Sequence, residues 1–180
     1  MLERDQAPPE LGVLYDALLQ TRGVVPNMFK TLANTPALAM GIAALLKPLL
    51  SDGALPGWYK ELVATRMSVL QGSLYAVTAH SLSARQKGAK EEQIVAIQSD
   101  FENGPFTDAE KLGLRCADRL HHSAIQIDDT FYAKLKTEYN DQQIVELIAT
   151  ASVFEFFPRF VDALRIPVTP VPNKDSAGQD

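Results

Sequence analysis

Cysteine is nearly missing from this chain of 180 residues: Cys116 is the single one. One thiol excludes an intrachain disulfide and any metal site built from several cysteines, and it fits a reducing compartment. Cys116 lies at core spacing with Leu112 and Leu120, so a buried, inert thiol is expected. Histidine is scarce as well, with three residues. His121 and His122 are adjacent and would sit 100° apart on a helix, badly placed to hold one metal ion. A solvated helix end, where the dipole favours protonated rings, is the expectation for them. No Gly-rich phosphate loop, zinc spacing or calcium loop occurs, and no Gly-x-Ser-x-Gly elbow surrounds Ser73. No cofactor and no metal is expected.

Long apolar runs are missing too. Residues 42–50 are apolar, but Lys47 and Pro48 interrupt a stretch already too short to span a bilayer. The opening MLERDQAPPE is charged and lacks an apolar signal region. Clustered positive charge is absent: 17 Lys and Arg against 22 Asp and Glu give a net charge of −5, with both signs scattered. That argues against nucleic acid and membrane partners and for a cytoplasmic protein. Apolar residues make up 46% of the chain, enough for a real core in one domain.

Strand-like alternation is nearly absent, while apolar residues recur every three or four positions. The chain therefore reads as all-α, with about seven to eight helices. Pro8 and Pro9 open the first, which Gly23 ends. The segment from Val24 to Phe29 reads as a loop. Thr35 and Pro36 are a cap and first turn for an Ala/Leu-rich helix to Leu50. Pro56 starts a helix carrying Glu61 and ending near Gly72. The next runs from about Ser73 to Gln86, with Gly88 as its stop. A short helix covers residues 90–98. Thr107 with Glu110 forms a capping box for the helix through Cys116. Asp128 or Asp129 starts another, and Asn140 with Gln143 caps the last and longest, to about Leu164. Pro158 lies inside that helix and is expected to kink or split it. The expected division is an extension over 1–8, a domain over 9–166, and an extended or disordered tail over 167–180.

The most informative stretch is residues 60–88, KELVATRMSVLQGSLYAVTAHSLSARQKG. On a helix, Ser73, Ala76, Val77, His80 and Ala84 share a face. Glu61, Thr65 and Ser68 share a face of the preceding helix. A tight joint at Gln71-Gly72 would turn one helix back on the other. Glu61 would then approach Ser73 and His80, around a pocket floored by small residues. A carboxylate beside an imidazole can move protons near neutral pH. The same pair could equally be a structural core contact, and Ser73 is more simply a helix N-cap than a nucleophile.

The spacing of Glu61, Gly72, Ser73, Ala76 and His80 resembles the signature of the carboxymuconolactone decarboxylase and AhpD-like superfamily. There a glutamate on one helix is followed by G-C-x-x-C-x-x-x-H on the next. Ser73 and Ala76 stand where the redox cysteines would be. The segments 25–29 and 34–36, and the C-terminal half through FTDAEKLGLRCADRL and YNDQQIVELIATASVFEFFPRFVDALRIP, extend the likeness over about 9–167. The resemblance implies an AhpD-like helical domain with a central hairpin. It implies Glu61 and His80 as catalytic residues, with Ser73, Ala76, Thr65, Arg66 and Tyr75 around the substrate. Arg66 is a candidate carboxylate contact, or a bridge between helices. The resemblance also implies a homo-oligomer, a trimer or hexamer, acting on a small molecule. Thiol peroxidase activity is not expected. Three functions stay open: a lyase or isomerase acting on a carboxylated or enolisable compound, a peroxidase relative that only binds a ligand, and a structural oligomer.

Overall fold

The computed structural model describes residues 1–171, so the final part of the expected tail lies outside the described residues. Among the described residues every regular element is helical: nine α-helices and two 3-10 turns. The helix not foreseen is α2, Asn27–Leu32, which starts within the segment read as a loop and runs three residues past it. It is one turn and a half long and leaves only a weak periodic signal. Pro26 sits at its N-cap, where a missing N–H costs nothing.

The chain forms two compact units. Among the described residues, the first comprises Met1–Leu45 with residues 166–171. It holds the 3-10 turn Pro9–Leu11, then α1 (Gly12–Arg22), α2 and the first part of α3 (Pro36–Leu50). Gly23 ends α1 with φ of 70°, a left-handed conformation that favours glycine. Leu2 and the segment at Pro167 and Val168 are tied down within this unit. Leu2 donates its N–H to the Lys30 carbonyl, and the Tyr15 hydroxyl donates to the Leu2 carbonyl. The Asn27 side-chain amide donates to the carbonyls of Pro167 and Val168. The Thr35 hydroxyl does not cap α3; it donates to the Leu32 carbonyl.

The second unit, Leu46–Arg165, carries the rest. It contains α4 (Gly57–Leu70), α5 (Leu74–Gln86), α6 (Glu91–Gln98), α7 (Asp108–His122), α8 (Asp129–Glu138) and α9 (Asp141–Ala163). Helix α4 is central and packs against α5, α6, α7 and α9. Because it is covered on all sides it buries polar residues with apolar ones: Lys60, Glu61, Thr65 and Ser68 are all inaccessible. Each must then find a partner. Thr65 and Ser68 bond back to the carbonyls of Glu61 and Ala64. Lys60 reaches Glu146 on α9, whose carboxylate also accepts the N–H groups of Ala54 and Leu55. Gly113 on α7 leaves room for the hydroxyls of Tyr59 and Tyr139, which a Cβ there would strike.

Capping follows the expected chemistry at α7, α8 and α9, through Thr107 with Glu110, Asp128, and Asn140 with Gln143. Pro158 does not split α9, which runs unbroken through it. The proline removes the donor that the Phe154 carbonyl would normally receive. Gln71, at the end of α4, supplies it instead: Nε2 donates to that carbonyl at 2.7 Å. A side chain from another helix thus serves the carbonyl that the proline leaves without a backbone donor.

Candidate functional site

Two glycines define the hairpin that builds the site. At Gly72, φ is 71°, Gly72 N–H bonds to the Val69 carbonyl, and Ser73 N–H bonds to the Ser68 carbonyl. At Gly88, φ is 106°, Gly88 N–H bonds to the Arg85 carbonyl, and Ala89 N–H bonds to the Ala84 carbonyl. Both are Schellman stops, one ending α4 and one ending α5. The first turns α5 back along α4. The second fixes Lys87 as the C-cap of α5, two turns beyond His80.

Glu61 lies at the centre. Its side chain is inaccessible, and both carboxylate oxygens are engaged. Oε2 is 2.7 Å from His80 Nδ1. Oε1 accepts from the Ser83 hydroxyl at 2.7 Å and from Lys87 Nζ. Lys87 Nζ also donates to the carbonyl of Leu50, the last residue of α3, at 2.7 Å. Burial alone would raise the Glu61 carboxyl. The hydrogen bonds and charges of His80 and Lys87 outweigh it and hold the group down at about 2. The carboxylate is therefore ionised near neutral pH and can only accept. Nδ1 of His80 must carry the proton between them, and in the neutral ring the lone pair sits on Nε2.

That nitrogen has no hydrogen-bond partner among the described residues, and it is not a sealed, unpaired atom. The ring is held edge-on against Phe154, with centroids 4.5 Å apart. His80 is thus anchored on one nitrogen, packed on one side and open at the other nitrogen.

The remaining predicted residues divide. Ser73 and Ala76 are buried at the start of α5. Ser73 occupies the N-cap position, but its hydroxyl makes no cap; it donates to Asp162 on α9 at 3.0 Å. Thr65 lies one turn from Glu61, its hydroxyl spent on the helix backbone. Arg66 turns to α7, where it forms a bidentate pair with Asp118 at 2.7 and 2.8 Å and lies over the Phe101 ring. That is the bridging arrangement of the two read from the sequence. Tyr75 is buried on α5.

Residues 36–118 match the family model described as the Carboxymuconolactone decarboxylase family. That match covers a little under half of the chain, and the fold as a whole is AhpD-like. Ser73 and Ala76 stand at the positions that the family's signature fills with cysteines. The fold is similar to that of an uncharacterized peroxidase-related protein from Silicibacter sp. TM1040. The TM-score is 0.84 at 20% identity, over 96% of this chain and 89% of that one. It is similar to the alkylhydroperoxidase AhpD core of a peroxidase-related protein from Ralstonia eutropha JMP134. There the TM-score is 0.85 at 19% identity, over 96% and 90% of the two chains. A variant of the debrominase Bmp8 in complex with 2,3,4-tribromopyrrole gives a TM-score of 0.83 at 23% identity, over 95% and 91%. In sequence, the chain is 25% identical over 90 residues to the uncharacterized protein YdfG of Bacillus subtilis (strain 168). That match spans 49% of this chain and 61% of the Bacillus protein.

Ser83 and Lys87 are the site residues that sequence reasoning missed. The signal was present: positions 80, 83 and 87 follow one stripe of a helix. The reading stopped at His80 because the family signature stops there. His121 also departs from expectation. It is not a freely solvated ring, because Nδ1 lies 2.6 Å from Glu155 Oε1, and Glu155 is paired in turn with Arg159. Cys116 is buried as expected, and burial pushes its thiol up to about 11. No group of three or more metal-binding side chains occurs among the described residues, and no helix there is long and apolar enough to cross a membrane.

Proposed function

We propose that this protein performs acid–base chemistry of the lyase or isomerase type on a small carboxylated or enolisable compound, with His80 as the proton carrier and Glu61 holding it. One observation carries the reading: a buried, ionised carboxylate takes Nδ1–H of His80 and leaves the Nε2 lone pair open. A positioned imidazole of this kind is suited to general base work. Nε2 takes a proton from the carbon beside a carbonyl, and the C–H electron pair passes into an enolate. The imidazolium so formed returns the proton at another carbon in an isomerase. In a decarboxylase His80 first takes up a proton from water, the carbon–carbon bond to the departing carbon dioxide breaks, and the imidazolium protonates the enolate left behind. Glu61 stabilises the imidazolium in both cases without touching the substrate. Arg66 is already committed to Asp118, so a substrate carboxylate at that position would have to compete for it.

Peroxide reduction through thiols is outside this reading. Positions 73 and 76 carry serine and alanine, and the Cys116 thiol is buried and little ionised near neutral pH. An acidic chain with a single protected thiol fits the cytoplasm.

The test is deuterium uptake in heavy water, followed by NMR, across panels of small lactone carboxylates and β-keto acids. A turned-over compound should lose exchange by about 10²–10⁴-fold in His80→Ala. Glu61→Gln should lose less, because the amide still anchors the ring but cannot stabilise its charge. Wild-type exchange in His80→Ala with unchanged helicity would overturn the reading. Tight binding without any exchange would favour the ligand-binding relative instead.

A further inference from the structure

The proposed proton carrier shares its carboxylate with a second cation. Glu61 has two oxygens and faces His80, Ser83 and Lys87, all on α5. Lys87 is no casual surface lysine. It is the C-cap of α5, locked by the Gly88 stop, and its ammonium is also held by the Leu50 carbonyl. Two-thirds of its side chain is covered. Its four-carbon stem brings a full positive charge onto the same buried group that must stabilise the imidazolium.

The other charges on the surrounding helices are already spoken for. On α9, Glu155 and Arg159 serve His121, and Asp162 accepts from Ser73. On α4, Lys60 pairs with Glu146 and Arg66 with Asp118. On α5 and α6, Arg85 pairs with Glu91. Phe154 contributes an uncharged edge against the ring. Lys87 is therefore the cation that meets His80 through a common partner.

We propose that Lys87, assisted by Ser83, is a positioning residue that sets the proton affinity of His80 by competing with the imidazolium for Glu61. With the ammonium in place, the carboxylate is partly neutralised and His80 gains less from taking up a proton. Without the ammonium, the whole carboxylate charge acts on His80 and the ring stays protonated to higher pH. Ser83 works the same way on a smaller scale, since its hydroxyl draws charge from Oε1. The inference rests on His80 as the proton carrier, but its primary test needs no substrate.

The experiment is a pH titration of the His80 ring nitrogens by ¹H–¹⁵N NMR on the full chain. Lys87→Met keeps the stem and removes the charge. It should raise the His80 midpoint by about one pH unit. Lys87→Arg should keep it near wild type, and Ser83→Ala should raise it by a smaller amount. Placing Lys87→Met on a Glu61→Gln background should remove most of the rise, because the shared carboxylate is gone. An unchanged midpoint in Lys87→Met, with the Nδ1–H signal retained, overturns the proposal. If Lys87→Met does not fold, a His80 midpoint in Ser83→Ala at or below wild type overturns it as well. Once a substrate is known, the rising limb of the activity profile should move with the midpoint. Activity that requires His80 yet ignores Lys87 would sink this inference alone. A midpoint that moves while no compound is ever turned over would sink the catalytic reading alone.

Discussion

Single residues carry opposite burdens along α4. Lys60 and Glu61 are neighbours, both fully inaccessible, and each is matched by a partner from a different helix. A buried charge without a partner costs several kcal/mol, so these pairs are conditions of folding before they are anything else. Glu61 also gives the acid limb of stability a definite sign. Its carboxyl is depressed from the usual 4.5 to about 2 in the fold. The stabilisation is complete above the unfolded value and is lost as the pH falls towards 2. A depression of that size corresponds to on the order of 3 kcal/mol. Denaturant melts between about pH 6 and pH 2 should show wild type losing this increment relative to Glu61→Gln. Parallel acid limbs in the two proteins would mean that the carboxylate gains nothing from its surroundings.

At the scale of the helix, the informative element is α9. A proline in its interior ordinarily costs about 3 kcal/mol, through a lost hydrogen bond and a clash with the preceding turn. Gln71 recovers part of this by donating to the Phe154 carbonyl. The same contact ties the end of α4 to α9 beside the ring that supports His80. Gln71→Ala should therefore destabilise the protein by about 1–3 kcal/mol, the usual cost of a buried acceptor left unpaired. The cost should fall in a Pro158→Ala background, where the backbone N–H returns. Equal costs in both backgrounds, measured by urea unfolding, would show that Gln71 acts elsewhere. The hairpin of α4 and α5 was more predictable, because glycine at positions 72 and 88 leaves few ways to end a helix.

For the whole molecule, the open question is what covers its apolar helices. Leu38, Met40 and Leu45 on α3 are each about half exposed, and α3 carries one charged residue, Lys47. On α9, Phe156 is half exposed and stacks on Phe160. Surfaces of this kind are usually covered in solution. The protein is expected to sediment as a trimer or hexamer at micromolar concentration. Leu45→Glu or Phe156→Glu should shift it towards the monomer. A wild-type monomer under those conditions would contradict the expectation.

Much of the fold was legible in the sequence because its signals are local. Capping pairs such as Thr107 with Glu110, and glycines that must take positive φ, act within a few residues of themselves. The pairing of Glu61 with His80 was legible too, since a known turn between two helices leaves little freedom in which faces meet. What the sequence could not decide was where a side chain ends when several partners compete. Ser73 could cap its helix, but Asp162 from α9 takes its hydroxyl. Arg66 could face the site or a neighbouring helix, and Asp118 decides. Pro158 should kink or split its helix, yet α9 runs on through it, and Gln71, more than eighty residues away in sequence, donates to the carbonyl that the proline leaves free. Lys87, to which the sequence assigned no role, sits on the central carboxylate. Each of these outcomes depends on partners distant in the chain, and only packing brings them within hydrogen-bond reach.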